Sequence, residues 1–169
     1  MAVTQARSIA QFYINSEPSA GHHLRLFVKP VPVSTPYYAT VKAFKSSRPD
    51  RKGGQAIAVR NSSNGKLVSM HLHQNAGSSP TLDVVNWTDA NTQSSVLLSI
   101  PYYQTANYMR IYVDGTYVYF GISQDGMWFE NIAFPQISSF IGAVNEVGIG
   151  FYSYDQPVIA SFDYFRITP

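Results

Sequence analysis

The chain has 169 residues, no cysteine and a formal net charge of +2. Those values exclude disulfides, thiolate catalysis and zinc–sulfur sites, and they leave too small a basic surplus to argue for nucleic acid or an anionic membrane as a partner. Hydrophobic residues at 45% predict a globular core, while charged residues at 13% fall to about half the usual ~25%. The polar surface is therefore expected to consist of Ser, Thr, Asn, Gln and Tyr, which meet partners through neutral hydrogen bonds and aromatic faces. No stretch approaches the ~18 apolar residues of a membrane span, and residues 1–8 carry no apolar signal core. Synthesis in a cytoplasm is the expectation, which makes the sequons at Asn61 and Asn86 incidental.

Strand signals run from end to end. Residues 1–20 hold a single apolar run near 11–15 and are expected to form an N-terminal arm or a first strand. Residues 21–169 are expected to form one β-sandwich domain. Alternation and runs of β-formers place further strands near 22–29, 37–44, 55–61, 66–74, 81–87, 95–99, 107–113, 117–123, 128–131, 146–154 and 159–167. The basic run at 45–52 contains Pro49 and precedes Gly53 and Gly54, so it reads as a solvated loop. Helix signal is confined to single turns near 8–12 and 135–140. About a dozen short strands at this spacing predict an all-β, antiparallel two-sheet jelly-roll sandwich and not a parallel α/β sheet.

Turn chemistry sharpens the middle of the chain. Asn64-Gly65 sits between two alternating runs and should close a hairpin. Asp114-Gly115 and Asp125-Gly126 lie eleven positions apart in the sequence and predict an antiparallel meander with type I′ turns, because such turns need positive φ at both central residues. Alternation then gives Met109, Ile111, Val113, Val118, Phe120 and Ile122 to the core. Tyr108, Arg110, Tyr112, Tyr117 and Tyr119 fall on the opposite face, which is either solvated or covered by another chain.

With the meander placed, residues 109–128 resemble the "strand, short turn, strand, S-x-D-G-x-W" element of concanavalin A-like lectin/glucanase domains, in particular the non-catalytic, laminin-G-like jelly-roll modules of that superfamily. Residues 147–153 are similar to the next core strand of those domains, and 159–167, with an acidic residue flanked by aromatics, to their closing strand. Residues 37–44 and 55–60 fit the early strands in order. The resemblance implies a jelly-roll fold and an inward-packed Trp128. It does not imply an activity, because these modules share architecture and not chemistry.

Catalytic and metal chemistry find little support. The glucanase branch of the resembled superfamily carries Glu-x-Asp-x-x-Glu on one strand, and a retaining mechanism needs its two carboxyls ~5 Å apart. This chain has only Glu17, Glu130 and Glu146 and no such triplet, so no catalytic residue is assigned. His71-Leu-His73 points two imidazoles to one strand face, a geometry that a metal accepts only with a third ligand such as His22, His23 or Asp83; an ordinary polar face is the expectation. Asp83, Asp89 and Asn91 are the one loop-like oxygen cluster to consider for calcium, and Asn86–Asn91 reads equally as a bare turn. No metal and no cofactor are expected.

Two binding surfaces remain. Trp87 beside Asn86 and Asp89 joins an aromatic face to planar polar groups, the combination that stacks and orients a sugar. Arg110, Tyr112, Tyr117 and Tyr119 form a face of the residue types enriched at protein interfaces. The expected function is a non-enzymatic structural and recognition protein of a virus particle, such as a bacteriophage capsid-decoration, tail or fibre protein made in the host cytoplasm. Its expected partners are other virion proteins, further copies of itself in a symmetric oligomer, for instance a trimer, and a host surface glycan. The alternative is a carbohydrate-binding module of a glycoside-degrading system.

Overall fold

The computed structural model describes residues 2–6, 9–14, 21–31, 36–44, 53–74, 79–102, 107–133, 135–154 and 158–169. Among them the order is β1 (Ala2–Ala6), β2 (Ile9–Ile14), β3 (His22–Pro30), β4 (Tyr37–Phe44), β5 (Gly53–Arg60), β6 (Leu67–Gln74) and β7 (Pro80–Asp89). There follow β8 (Thr92–Pro101), β9 (Tyr108–Val113), β10 (Val118–Ser123), β11 (Glu130–Ala133), the single turn α1 (Ile137–Phe140), β12 (Glu146–Tyr154) and β13 (Val158–Thr168). The strands form a seven-stranded sheet, β1-β2-β13-β4-β9-β10-β11, and a six-stranded sheet, β3-β12-β5-β6-β7-β8. Every paired neighbour is antiparallel. The chain crosses between sheets at β2–β3, β3–β4, β4–β5, β8–β9, β11–β12 and β12–β13, which is the jelly-roll-like wiring of an all-β sandwich. The expected basic loop at 45–52 lies outside the described residues, and the helical turn expected near 8–12 is corrected: residues 9–12 belong to strand β2.

Period-two ordering builds the main core. Val41 on β4, Ile111 on β9, Phe120 on β10 and Phe162 on β13 face Ile57, Met70, Val84 and Phe151 of the other sheet, all essentially without solvent contact. Each such side chain stabilises the fold by ~1.5–3 kcal/mol on burial. The core expected from the meander, Met109 to Ile122 on alternate positions, is present in full.

The turns keep this parity by other means than expected. Val113 pairs with Val118, so Asp114 to Tyr117 form a four-residue loop and not a two-residue type I′ turn. Two extra residues leave the faces unchanged, since side chains alternate. Asp114 Oδ1 accepts the backbone N–H groups of Thr116 and Tyr117, both at 2.7 Å, and Gly115 takes a φ of 99°. At the second Asp-Gly, β11 begins at Glu130, so the strand expected near 128–131 starts later. Trp128 lies in the preceding loop, 83% exposed. Its expected inward packing is corrected: Asp125 Oδ1 accepts the N–H groups of Met127 and Trp128, which turns the loop before the indole can reach the core.

The N-terminal segment contains two strands, not one. β1 and β2 form a hairpin that β2 joins to β13. In β13 a register shift at Phe162/Tyr164 inserts one residue. Phe162 points into the core before it and Phe165 and Ile167 pack there after it, so Tyr164, Arg166 and Thr168 face outward.

The six-stranded sheet has a second core on its outer face. β7 and β8 pair with three register shifts, and their turn reaches the opposite edge strand. Leu24 N–H donates to the Ala90 carbonyl at 2.8 Å, and Asn91 Oδ1 accepts from Arg25 at 2.6 Å and meets His23 Nδ1 at 3.1 Å. The curl encloses Leu24, Ala56, Ala58, Leu67, Val85, Trp87 and Tyr152. β3 lies so close over β12 that a Cβ at Gly150 would land on the Arg25 carbonyl oxygen.

Candidate functional site

The outer face of the seven-stranded sheet carries the open site. Strand register arranges its side chains in rows. Thr168, Tyr38, Tyr112 and Tyr119 face one another in the first; Arg166, Thr40, Arg110 and Gly121 in the second; Tyr164, Lys42, Tyr108 and Ser123 in the third. Neighbouring strands are ~4.8 Å apart, so Thr40 sits between two arginines, each about one strand spacing away. An open groove of ≈ 540 Å³ runs here, lined by Tyr38, Thr40, Arg110, Phe129, Tyr164 and Arg166 among others.

The aromatic walls hold one another. Tyr38 and Tyr112 stack at 4.6 Å and 22°, Tyr112 lies 5.4 Å from Tyr119, and Tyr117 lies 6.1 Å from Tyr119. The Arg110 guanidinium carbon is 3.9 Å from the centre of the Phe129 ring and 5.1 Å from that of Tyr38. Such cation–π contacts hold a guanidinium without neutralising it. Gly121 makes room for this arrangement, because a Cβ there would stand 3.1 Å from Asn131 Oδ1 and 3.6 Å from Phe129 Cβ. Partial burial holds the Arg110 pKa below its ordinary value, but an arginine stays charged at any physiological pH. Among the described residues no carboxylate pairs with Arg110 or Arg166.

The nearby acids are engaged elsewhere. Asp163 binds Lys42 Nζ at 3.1 Å. Asp114 Oδ2 accepts from Tyr119 Oη at 3.1 Å, and the Tyr117 and Thr116 amides hold its carboxyl below the usual carboxylate range. The Met127 and Trp128 amides do the same for Asp125. At the rim, Met127 and Trp128 stand 74% and 83% exposed.

Of the residues singled out from the sequence, Arg110, Tyr112 and Tyr119 come together on this face. Tyr117 sits at its end, in a bridge to Gln136. Tyr38, Thr40, Tyr164 and Arg166 were not singled out. Alternation in 37–44 marks Tyr38 and Thr40 as facing away from Tyr37 and Ala39, but nothing local says that β4 lies between β9 and β13.

The Asn86, Trp87 and Asp89 platform is not assembled. Trp87 has no solvent contact and its Nε1 donates to Ser69 Oγ at 2.8 Å. An enclosed indole offers no ring face to a sugar. Asn86 faces the other way, between the sheets, with Nδ2 donating to Ser95 Oγ at 3.1 Å. Asp89 is exposed and its Oδ1 accepts the Asn91 N–H at 2.8 Å. The sequence signal for Trp87 was sound as chemistry and failed on burial.

Beside Trp87 lies a histidine–aromatic cluster. His71 stacks on Tyr152 at 4.4 Å and 12°, Tyr152 Oη is 2.8 Å from His22 Nδ1, and His71 Nε2 is 3.7 Å from Asp83 Oδ2. His23 is instead turned to Asn91, and the His73 side chain lies outside the described residues. Among the described residues no three His, Cys, Asp or Glu side chains gather as metal ligands. Asp83 is six strand positions from Asp89, about 20 Å at ~3.3 Å per residue, so those two carboxylates do not form one site.

No protein-family model matches the chain, and no curated protein matches it. Solved structures do. A functionally unknown protein from Saccharomyces cerevisiae matches with a TM-score of 0.67 and 12% identity, over 99% of this chain and 91% of that one. The CBM2 module of the evolved Dit of Lactobacillus casei BL23 phage J-1 matches at 0.65 and 12%, over 99% of this chain and 78% of that one. The GH43 protein BlXynB from Bacillus licheniformis matches at 0.63 and 15%, over 94% of this chain but only 32% of its own length. At these identities the likeness establishes a shared β-sandwich fold.

Proposed function

We propose that this chain is a non-catalytic recognition module of a virus particle, with a bacteriophage capsid-decoration, tail or fibre protein as its setting. It reads a glycan with the outer face of its seven-stranded sheet. The observation that carries the reading is the tyrosine-walled groove with two arginines that no carboxylate pairs among the described residues, on an otherwise charge-poor molecule. Stacked aromatic faces bind the apolar faces of sugars, and hydroxyl and guanidinium donors orient them. The likeness to a phage module of the carbohydrate-binding CBM2 designation supports both the ligand class and the setting. The two-sheet fold also suits a concanavalin A-like module, with residues 21–169 as its body and the β1–β2 hairpin within residues 1–20 extending one sheet beside β13. The same face suits contacts with other virion proteins and with further copies in a symmetric trimer.

The absence of catalysis is part of the proposal. Around the groove Asp114, Asp125 and Asp163 are each committed to a turn or a lysine, which supports the non-catalytic reading, since a glycosidase needs a free acid and nucleophile. A second reading, a module appended to a glycoside-degrading enzyme, draws on the GH43 chain in which the matching part is about a third of the whole.

The test is a glycan array probed with the full chain. Saturable binding that Tyr38→Ala and Tyr112→Ala abolish is expected; a flat array overturns the glycan reading. Light scattering should show a trimer, and a monodisperse monomer at high concentration counts against the virion setting. Turnover of any polysaccharide by the purified chain ends the non-catalytic reading.

A further inference from the structure

The groove's charge selects among sugars. Arg110 is held between two aromatic rings in the middle of the sheet, and Arg166 stands on the far side of Thr40 in the same row. Both line one groove and neither has a carboxylate partner among the described residues. The third cation of the face, Lys42, is neutralised by Asp163. A half-buried guanidinium without a counterion has lost water and gained no charge to replace it. Its fork of N–H donors matches a planar carboxylate in bidentate fashion. A neutral sugar would leave that mismatch in place.

We infer, on the basis of the glycan reading above, that the groove takes an acidic glycan, with a uronate- or sialate-type carboxylate seated between Arg110 and Arg166 above the Thr40 hydroxyl. The sugar ring carrying it then lies along the tyrosine rows, with Tyr38 on one side and Tyr164 on the other. Lys42 contributes no net charge to the site and serves to hold the β13 bulge that turns Arg166 outward.

The experiment is calorimetric titration of the full chain with trigalacturonate and sialyllactose against uncharged xylotriose and lactose. The acidic probes are expected to bind at least about tenfold more tightly than the neutral ones, as charge-assisted hydrogen bonds require. Added sodium chloride should weaken the acidic probes selectively. Arg166→Gln, at an exposed position, should lose about tenfold for the acidic probes alone. Arg110→Lys keeps the charge but not the fork and should also lose affinity, with circular dichroism confirming the fold of both variants. Equal binding of acidic and neutral probes, or unchanged acidic binding in both variants, overturns the inference and leaves the glycan reading standing. Binding by no sugar of either kind overturns both.

Discussion

The two sheets carry aromatic residues on both of their outer faces, and the two faces have opposite fates. On the six-stranded sheet Trp87, Tyr152 and His71 are packed out of solvent under a curl latched by Leu24 and Ala90. On the seven-stranded sheet Tyr38, Tyr108, Arg110, Tyr112 and Tyr119 stay half-open around a groove. The residue types are nearly the same. What differs is the path of the backbone: three register shifts bend β7 and β8 over their own sheet, whereas β4, β9 and β10 pair without a shift among themselves. An aromatic residue becomes core or open surface according to whether its sheet closes on it. Composition alone does not decide the matter.

The strongest way to break this contrast is Trp87→Ala. If Trp87 is core, the variant should lose about 3–5 kcal/mol of stability in urea unfolding, as large buried aromatics do, while its folded fraction keeps the groove and any ligand affinity. Lost affinity at unchanged stability would return Trp87 to the binding surface. Next in size, Gly150→Ala should cost ~1–3 kcal/mol or more, because the new Cβ meets the β3 backbone and not a side chain that can swing away. Faster amide exchange at Leu24, whose N–H bonds to Ala90, would place the damage at the latch; an unaffected melting curve would mean that β3 does not lie so close.

A smaller effect belongs to the open face. The carboxyl of Asp114 is held below its ordinary pKa by the Tyr117 and Thr116 amides, so the folded state binds fewer protons than the unfolded one between the two pKa values. Its contribution is therefore present above the unfolded value of ~3.9 and is lost as pH falls through the lower, folded one. Asp114→Asn should flatten that part of the acid limb of a stability–pH curve; an identical limb would sever the loop from the carboxylate. The smallest effect expected is that of Trp128→Ala, within about ±0.5 kcal/mol for an exposed side chain. A larger loss would mean that the indole packs against something after all.

Much of the architecture was legible in the sequence, because alternation survives errors in turn type. The loop at 114–117 is two residues longer than a type I′ turn, yet Ile111 and Phe120 still face inward and Tyr112 and Tyr119 still face outward. The groove was only half legible. Strict alternation from Phe162 would send Tyr164 and Arg166 into the core, and only the inserted residue at the β13 bulge, tied by Asp163 to Lys42, re-aims them. Trp87 was misplaced for a related reason. Its enclosure depends on Ala90 and Asn91 meeting β3, a contact between segments some 65 positions apart that no local pattern encodes. Trp128 was drawn inward by a resemblance and is held outward by its own Asp-Gly turn.

The clamp of Phe129 and Tyr38 on Arg110 has a kinetic consequence. A long side chain that must be ordered at the moment of association costs ~0.5–1.5 kcal/mol, and the flanking rings have removed that freedom from Arg110 during folding. Arg166, exposed at the surface, has no such ring clamp among the described residues. On the proposed glycan reading the two guanidinium groups divide the encounter in time: the exposed one makes first contact, and the clamped one sets how long the visitor stays.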